Sequence, residues 1–130
     1  MTAPLESLLS DLESALARLD EALREPKSDI VRDAAIQRFE FSFELLWKTL
    51  KVRSEAEGLR LFSPREAFRA AFQIGLLDEG DDVVFQMLED RNRTSHLYKA
   101  AMAEEVYSRL PAYLALMRKA ARRAGDLGRG

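Results

Sequence analysis

The stretch that decides the fold is residues 30–58, IVRDAAIQRFEFSFELLWKTLKVRSEAEG. Large apolar side chains recur in it at steps of three and four residues, which places them on one face of an α-helix. These positions are Ile36, Phe39, Phe43, Leu46, Trp47 and Leu50. We predict one long helix whose aromatic stripe faces the core, because aromatic rings bury the most apolar surface per residue. The alternative interpretation of such a stripe is a surface on which a ligand stacks.

Helical spacing continues on both sides of this segment. Leucines at three- and four-residue steps predict a first helix over residues 5–24, which Pro26 ends. The sequence Ser63-Pro64-Arg65-Glu66 is typical of a helix start, because the serine can cap the helix and proline fits its first turn. This third helix is predicted to end at Gly75, a residue suited to a left-handed cap.

Two more helices are predicted, over residues 81–93 and 101–124. Pro111 lies inside the last one, where it predicts a kink or a break. We see no alternating pattern of strand length. The expected fold is therefore all-α, an up-and-down four-helix bundle with an additional short helix. Residues 1–124 are predicted to form a single domain, and residues 125–130 a frayed tail.

Composition limits the classes of function. The 130 residues include no cysteine, which excludes disulfides, thiolate nucleophiles and cysteine-bound metals. The formal net charge is −2, so any nucleic-acid contact must rest on a local basic patch rather than on a global field. The sequence shows neither a targeting segment nor an apolar run long enough to span a membrane. We expect a cytoplasmic protein without a membrane contact.

The residues best suited to chemistry lie in one short segment, Arg91-Asn92-Arg93-Thr94-Ser95-His96-Leu97-Tyr98, which holds the chain's single histidine. An imidazole can move protons near neutral pH, and a guanidinium can bind and neutralise a phosphate. Together they suit phosphodiester cleavage without a metal. Because Arg91 and His96 are more than one helical turn apart, the helix must end between them, near Thr94-Ser95, if both are to reach one phosphate.

Cleavage by this route needs a base and an acid, and one chain supplies a single imidazole. A metal-free ribonuclease of this sequence should therefore be a homodimer with a shared cleft. Simpler interpretations remain open. His96 could be a solvated residue near a helix end, and Arg91 and Arg93 could only complement the helix dipole. Tyr98 could simply pack its ring at the rim of the bundle.

The arrangement R-x4-H-x-Y, formed by Arg91, His96 and Tyr98, resembles the signature of the HEPN superfamily, and most closely that of the HepT-type toxins. Relatives of these toxins are described as nucleotidyltransferase substrate-binding proteins. The resemblance also includes the long-helix sequence RFEFSFELLWKTLK, the helix start SPRE and the segment MLEDRNRTSH. Together these sequences extend over about residues 30–113, in the family's order.

The resemblance implies a homodimer in which Arg91 and His96 of both protomers face a shared cleft and cut RNA without a metal, with Asn92 assisting. It further implies a minimal nucleotidyltransferase, encoded alongside, that acts as the antitoxin by transferring AMP from ATP onto Tyr98. A bulky anionic adduct there would block the cleft and repel phosphate. The alternative is a non-catalytic substrate-binding subunit of a two-component nucleotidyltransferase.

Supporting roles are expected for four other side chains, Glu40, Glu44, Arg93 and Ser95. Glu40, Glu44 and Lys48 lie one turn apart on the long helix. They could form no more than an exposed Glu44–Lys48 pair, or one carboxylate could orient Arg91 or His96 at the cleft. With one histidine and no third acidic residue nearby, no metal is expected there, and no cofactor is expected elsewhere.

Overall fold

The computed structural model describes residues 3–96 and 99–129, with side chains described for residues 4–96 and 99–126. The helices within this part of the chain are α1 Ala3–Arg24, α2 Asp29–Glu55, α3 Pro64–Gln73, α4 Val83–Arg93 and α5 Ala100–Arg129. A 3-10 turn, Thr94–His96, directly follows α4. Because no strand occurs among the described residues, the all-helical prediction is confirmed.

Three long helices form the body of the bundle. Helices α1, α2 and α5 pack against one another, while α3 contacts α2, and α4 contacts both α3 and α5. This arrangement agrees with the predicted bundle and its additional short helix. The largest fully buried side chains are Tyr113, Phe39, Phe43, Phe68, Leu12, Leu19, Leu46, Leu50, Leu76, Leu77, Met87 and Leu110.

Helix α2 lies against α1, α3 and α5, which explains its wide apolar face. Its first turn is capped by Ser28, whose hydroxyl accepts a hydrogen bond from the Val31 amide at 3.1 Å. The aromatic stripe is core, as predicted: Phe39, Phe43, Leu46 and Leu50 are buried, and Trp47 packs against them partly buried. The turn after the helix ends at Gly58, whose φ is +89°.

Helix α3 begins and ends as the sequence predicts. The Ser63 hydroxyl accepts a hydrogen bond from the Glu66 amide at 3.2 Å, and Pro64 occupies the first turn. At the other end Gly75 has a φ of +83°, and the following Leu76 amide donates to the Ala71 carbonyl at 2.9 Å. This left-handed cap turns the chain toward α4.

Helix α4 begins at Val83, later than predicted. Asp81, at the predicted start, is instead held by the loop before the helix and by α5. Its buried carboxylate accepts a hydrogen bond from the Asp78 amide at 2.8 Å and pairs with Lys119 and, at 3.3 Å, with Arg123 of α5. The start of α4 is therefore anchored to α5 by buried charge.

Helix α5 excludes a break at Pro111 and is longer than predicted. It passes through Pro111 without a break, and it extends to Arg129, beyond the predicted end at Ala124. Proline removes one backbone hydrogen bond, to the carbonyl of Tyr107, at a cost of about 3 kcal/mol inside a helix. Pro111 is exposed while Leu110 beside it is fully buried. Burial of the apolar face on both sides of the proline outweighs this local cost.

Candidate functional site

Helix α4 and the 3-10 turn after it carry the segment that the sequence singled out. The last α-helical residue is Arg93, and the amide and hydroxyl of Thr94 both donate to the Arg91 carbonyl, the hydroxyl at 2.7 Å. These two hydrogen bonds to one carbonyl tighten the helix end into the 3-10 turn that carries His96. The predicted helix end between Arg91 and His96 is confirmed.

Arg91 is held on three sides. Its guanidinium carbon lies 5.1 Å from the centroid of the Phe43 ring, a cation–π contact with the core of α2. One terminal nitrogen forms an ion pair with Glu44, and the other donates to the Asn92 side-chain oxygen at 3.1 Å. The Arg91 side chain keeps 30% of its surface exposed, so a ligand can still reach it.

Glu44 links this cation to a second aromatic side chain. One carboxylate oxygen pairs with Arg91, and the other accepts a hydrogen bond from the Trp47 indole at 3.1 Å. Glu44 is thus engaged by Arg91 and Trp47 rather than by Lys48. Of the two interpretations of this carboxylate, the structure agrees with the one that brings it to the arginine.

The remaining predicted site residues lie on the surface around Arg91. Asn92, Ser95 and His96 are exposed. Among the described residues, no hydrogen bond or ion pair joins His96 to Arg91. Tyr98, the predicted acceptor of AMP, and its neighbour Leu97 lie outside the described residues.

Glu40 lies one turn before Glu44 and borders a shallow depression. This depression has a volume of about 200 Å³ and lies between α2, the 3-10 turn and the start of α5. Its lining includes Glu40, Thr94 and Ala103. Glu40 therefore faces the helix end that carries the candidate site, but not Arg91 itself.

Arg93 points away from Arg91, toward α5. It lies 3.5 Å from the carboxylate of Asp90 and 3.4 Å from that of Glu105. Glu105 also pairs with Arg109 at 2.9 Å, and these two arginines hold the pKa of Glu105 below its usual value. In the structure Arg93 is therefore part of an ion-pair network between α4 and α5.

Asp90 was not predicted as a site residue, yet it is the most buried charged residue of this end of α4. Its side chain is 2% exposed and meets Arg109 at 2.9 Å and the Tyr113 hydroxyl at 2.5 Å. Burial, and next the bond to Asp90, raise the pKa of Tyr113 well above its usual value, so the hydroxyl stays a donor. The sequence did contain a signal: Asp90 follows the apolar Met87 by one turn on the core-facing side.

The part of the chain that the structure describes also bears on other kinds of site. It contains no helix that is long and apolar enough to cross a membrane. Within the same residues, no three histidine or acidic side chains are grouped so that they could hold a metal ion. Arg91 offers a guanidinium held by its neighbours, and an exposed amide, hydroxyl and imidazole follow it in the chain.

The sequence matches the model of a known protein family. Residues 7–125 match the family model described as nucleotidyltransferase substrate binding protein like. A crystal structure of a protein from Thermus thermophilus is 40% identical with a TM-score of 0.82, covering 87% of this chain and 98% of that one. No protein with a curated description matches the sequence significantly.

A second solved structure shares the fold. It comes from Haemophilus influenzae and is described as revealing the fold of a substrate-binding domain of a nucleotidyltransferase. Its TM-score is 0.69 at 22% identity, and the match covers 92% of this chain and 96% of that chain. At this identity the likeness concerns the arrangement of helices alone.

Proposed function

The chain belongs to the nucleotidyltransferase substrate binding protein-like family, and from this membership we propose that it is the binding subunit of a two-component nucleotidyltransferase. The observation that carries the proposal is the extent of the family match, which runs over residues 7–125 and so includes nearly all of the bundle. The Haemophilus influenzae protein with the same helical fold is described as a substrate-binding domain of such an enzyme, which supports it.

The surface that this subunit presents is the end of α4. A nucleotide or nucleic-acid substrate carries phosphate, and a guanidinium with a fixed orientation matches phosphate in both geometry and charge. Arg91 has that property, because Phe43 and Glu44 hold its guanidinium while part of it stays exposed. We assign phosphate recognition to Arg91 and secondary polar contacts to Asn92 and Ser95.

Complex formation tests this role directly. The chain is co-expressed with the minimal nucleotidyltransferase that the resemblance predicts to be encoded alongside, and the mixture is separated by size exclusion. We expect one complex that transfers nucleotide, and a loss of transfer in Arg91→Ala. Arg122→Ala is the matched control, because Arg122 is exposed near the other end of α5. Two separate peaks, or equal transfer by both variants, would contradict the proposal.

A second candidate function is a metal-independent endoribonuclease toxin, and the arrangement of the same segment favours it. Arg91 is oriented on the core, and the only histidine of the chain follows it on an exposed 3-10 turn. In the proposed reaction the ribose 2′-oxygen attacks phosphorus and the bond to the 5′-oxygen breaks. One His96 removes the 2′-hydroxyl proton, and His96 of a second protomer protonates the departing 5′-oxygen.

The products are a 2′,3′-cyclic phosphate and a 5′-hydroxyl, so atoms and charges balance without a co-reactant. Arg91 neutralises the negative charge that grows on the phosphorane oxygens. Control of this activity rests on Tyr98. Transfer of AMP from ATP to its hydroxyl, with release of pyrophosphate, would place a bulky anion two residues from His96.

Intact mass and RNA cleavage, measured on the same preparation, separate the two candidates. The protein is prepared with and without the nucleotidyltransferase and assayed in EDTA. A ribonuclease toxin cuts RNA when expressed alone, and it gains whole AMP units and loses cleavage when co-expressed. A binding subunit shows unchanged mass and no cleavage in either preparation.

A further inference from the structure

The buried carboxylate of Asp90 lies directly beside Arg91 in the chain, and it has no role in the chemistry described above. The whole residue is 1% exposed, and Arg109 contacts both carboxylate oxygens, at 2.9 and 3.0 Å. The Tyr113 hydroxyl donates to one of them at 2.5 Å. A buried aspartate needs such partners because an unpaired charge in the core is costly.

The ring of Tyr113 leads back toward the same site. It stacks on Phe39 with centroids 5.6 Å apart and an angle of 27° between the planes. Phe39 meets Phe43 edge to face at 6.2 Å, and Phe43 carries the Arg91 guanidinium at 5.1 Å. A continuous series of contacts therefore runs from Asp90, the residue before Arg91, through Tyr113, Phe39 and Phe43 to the Arg91 guanidinium.

We propose that Asp90 and Tyr113 are positioning residues for Arg91. Asp90 holds the backbone of the last turn of α4 against α5. Tyr113 contacts both the Asp90 carboxylate and the stacked rings that support the guanidinium. The backbone of Arg91 and its guanidinium are thus both held by the same group of packed core residues. In close-packed interiors such contacts transmit small displacements, so removing the anchor moves the guanidinium.

The other end of α4 supplies an internal comparison. Asp81 is buried to 2% exposure and pairs with Lys119 and Arg123, also on α5. Asp81 and Asp90 therefore anchor α4 to the same helix by the same kind of contact. Only Asp90 is adjacent to Arg91, so only the loss of the Asp90 carboxylate should change the position of the Arg91 guanidinium.

The proposal refines the site of the proposed function, yet its test does not depend on any activity. The probe is the side-chain ¹⁵N–¹H signal of Arg91, assigned by comparison with Arg91→Lys. A guanidinium over an aromatic ring has ring-current-shifted signals, which move when the contact with Phe43 changes. We expect the signal to shift in Asp90→Asn and in Tyr113→Phe, and to stay in place in Asp81→Asn.

Tyr113→Phe keeps the ring and removes only the hydroxyl, so it remains informative if Asp90→Asn fails to fold. An unchanged Arg91 signal in folded Tyr113→Phe would overturn the proposal, as would an equal shift in Asp81→Asn.

A kinetic readout follows where the wild type cleaves RNA. Tyr113→Phe should lower kcat by about 10- to 100-fold with little change in KM, as expected for a misplaced catalytic group. If the wild type cleaves nothing while the Arg91 signal shifts as described, the ribonuclease hypothesis fails and the positioning role stands.

Discussion

The guanidinium of Arg91 lies 5.1 Å from the centroid of the Phe43 ring, and Phe43 is a fully buried core residue. The central residue of the candidate site thus rests directly on the hydrophobic core. Most surface cations of a helical bundle move freely in water and are insensitive to core packing. Arg91 differs, because a change in the aromatic stripe of α2 also changes the surface on which its guanidinium lies.

Phe43→Leu tests this dependence. The loss of ring volume should lower the free energy of unfolding by about 1–3 kcal/mol. It should also reduce the function of the Arg91 site, because leucine has no π face for the guanidinium. Urea unfolding and nucleotide transfer or RNA cleavage are the measurements. Phe68→Leu is the control, since Phe68 is equally buried and packs edge to face on Phe43, with ring centroids 5.7 Å apart. If both variants lose stability and function in parallel, the aromatic platform has no separate role.

Much of this fold follows from local signals. The Ser63 cap and the Gly75 left-handed turn depend on contacts within a few residues. The stripe of α2 is buried by other helices, but its three- and four-residue spacing can be recognised from the local sequence. The break that Pro111 could have caused is absent for the opposite reason. The local cost of the proline is real, but the decisive contribution is burial against α1 and α2, which are distant in sequence.

The candidate site also contains residues that the local sequence identifies and residues whose role depends on contacts with other helices. The sequence located Arg91 and the helix end after it, because the residue types and their spacing are local. It left two options for Glu44, since only the packing of α4 beside α2 shows that the carboxylate meets Arg91 and Trp47. The spacing from Met87 indicates that Asp90 is buried, but its partners, Arg109 and Tyr113, lie on α5, and no local pattern identifies them.

Glu44→Gln should separate binding from turnover. The carboxylate orients Arg91 but also neutralises part of its charge, so the neutral amide should strengthen binding of a phosphodiester and weaken its positioning. We expect tighter binding of a 2′-O-methyl RNA oligonucleotide together with a lower kcat on cleavable RNA. The free energy of unfolding should fall by less than about 1 kcal/mol, because the pair is partly exposed. Glu40→Gln serves as control, since Glu40 does not contact Arg91.

Equal binding and turnover in wild type and Glu44→Gln would show that this ion pair has no effect on the site. Tighter binding without a loss of kcat would show that Glu44 only competes with phosphate.

Asp81 should contribute to acid stability. Burial alone would raise the pKa of Asp81, but the hydrogen bonds from Lys119 and the Asp78 amide outweigh it and hold the pKa below 3.8. A lowered pKa in the folded state means that the stabilisation is complete above pH 3.8 and is lost as the pH falls through the folded-state value. Asp81→Asn should therefore cost about 1–3 kcal/mol at pH 7 and progressively less below pH 3.8.

The measurement is urea unfolding of wild type and Asp81→Asn between pH 7 and pH 2.5. Asp82→Asn provides the comparison, because Asp82 is exposed and its side chain makes no capping hydrogen bond. If the difference in unfolding free energy between wild type and Asp81→Asn stays constant over the whole pH range, the charge of the Asp81 carboxylate does not stabilise the fold.

The homodimer remains a prediction, and it is tied to the ribonuclease chemistry. Light scattering of the purified 14.8 kDa chain should give twice that mass, and specific RNA cleavage should fall on dilution as the dimer dissociates. A monomer that cuts RNA at a rate independent of its concentration would rule out a cleft that needs two imidazoles.

His96→Gln is the sharpest test of that chemistry. Glutamine keeps a polar side chain of similar size but cannot exchange a proton near neutral pH, so both the base and the acid of the dimer are lost. Because His96 is exposed and lies at the end of the 3-10 turn, the free energy of unfolding should change by less than about 0.5 kcal/mol. RNA cleavage should fall by at least about 100-fold. Ser95→Ala, next to it on the same exposed turn, should retain most of the activity. Full cleavage by folded His96→Gln would remove the imidazole from the mechanism and leave Arg91 as a binding residue for a nucleotidyltransferase substrate.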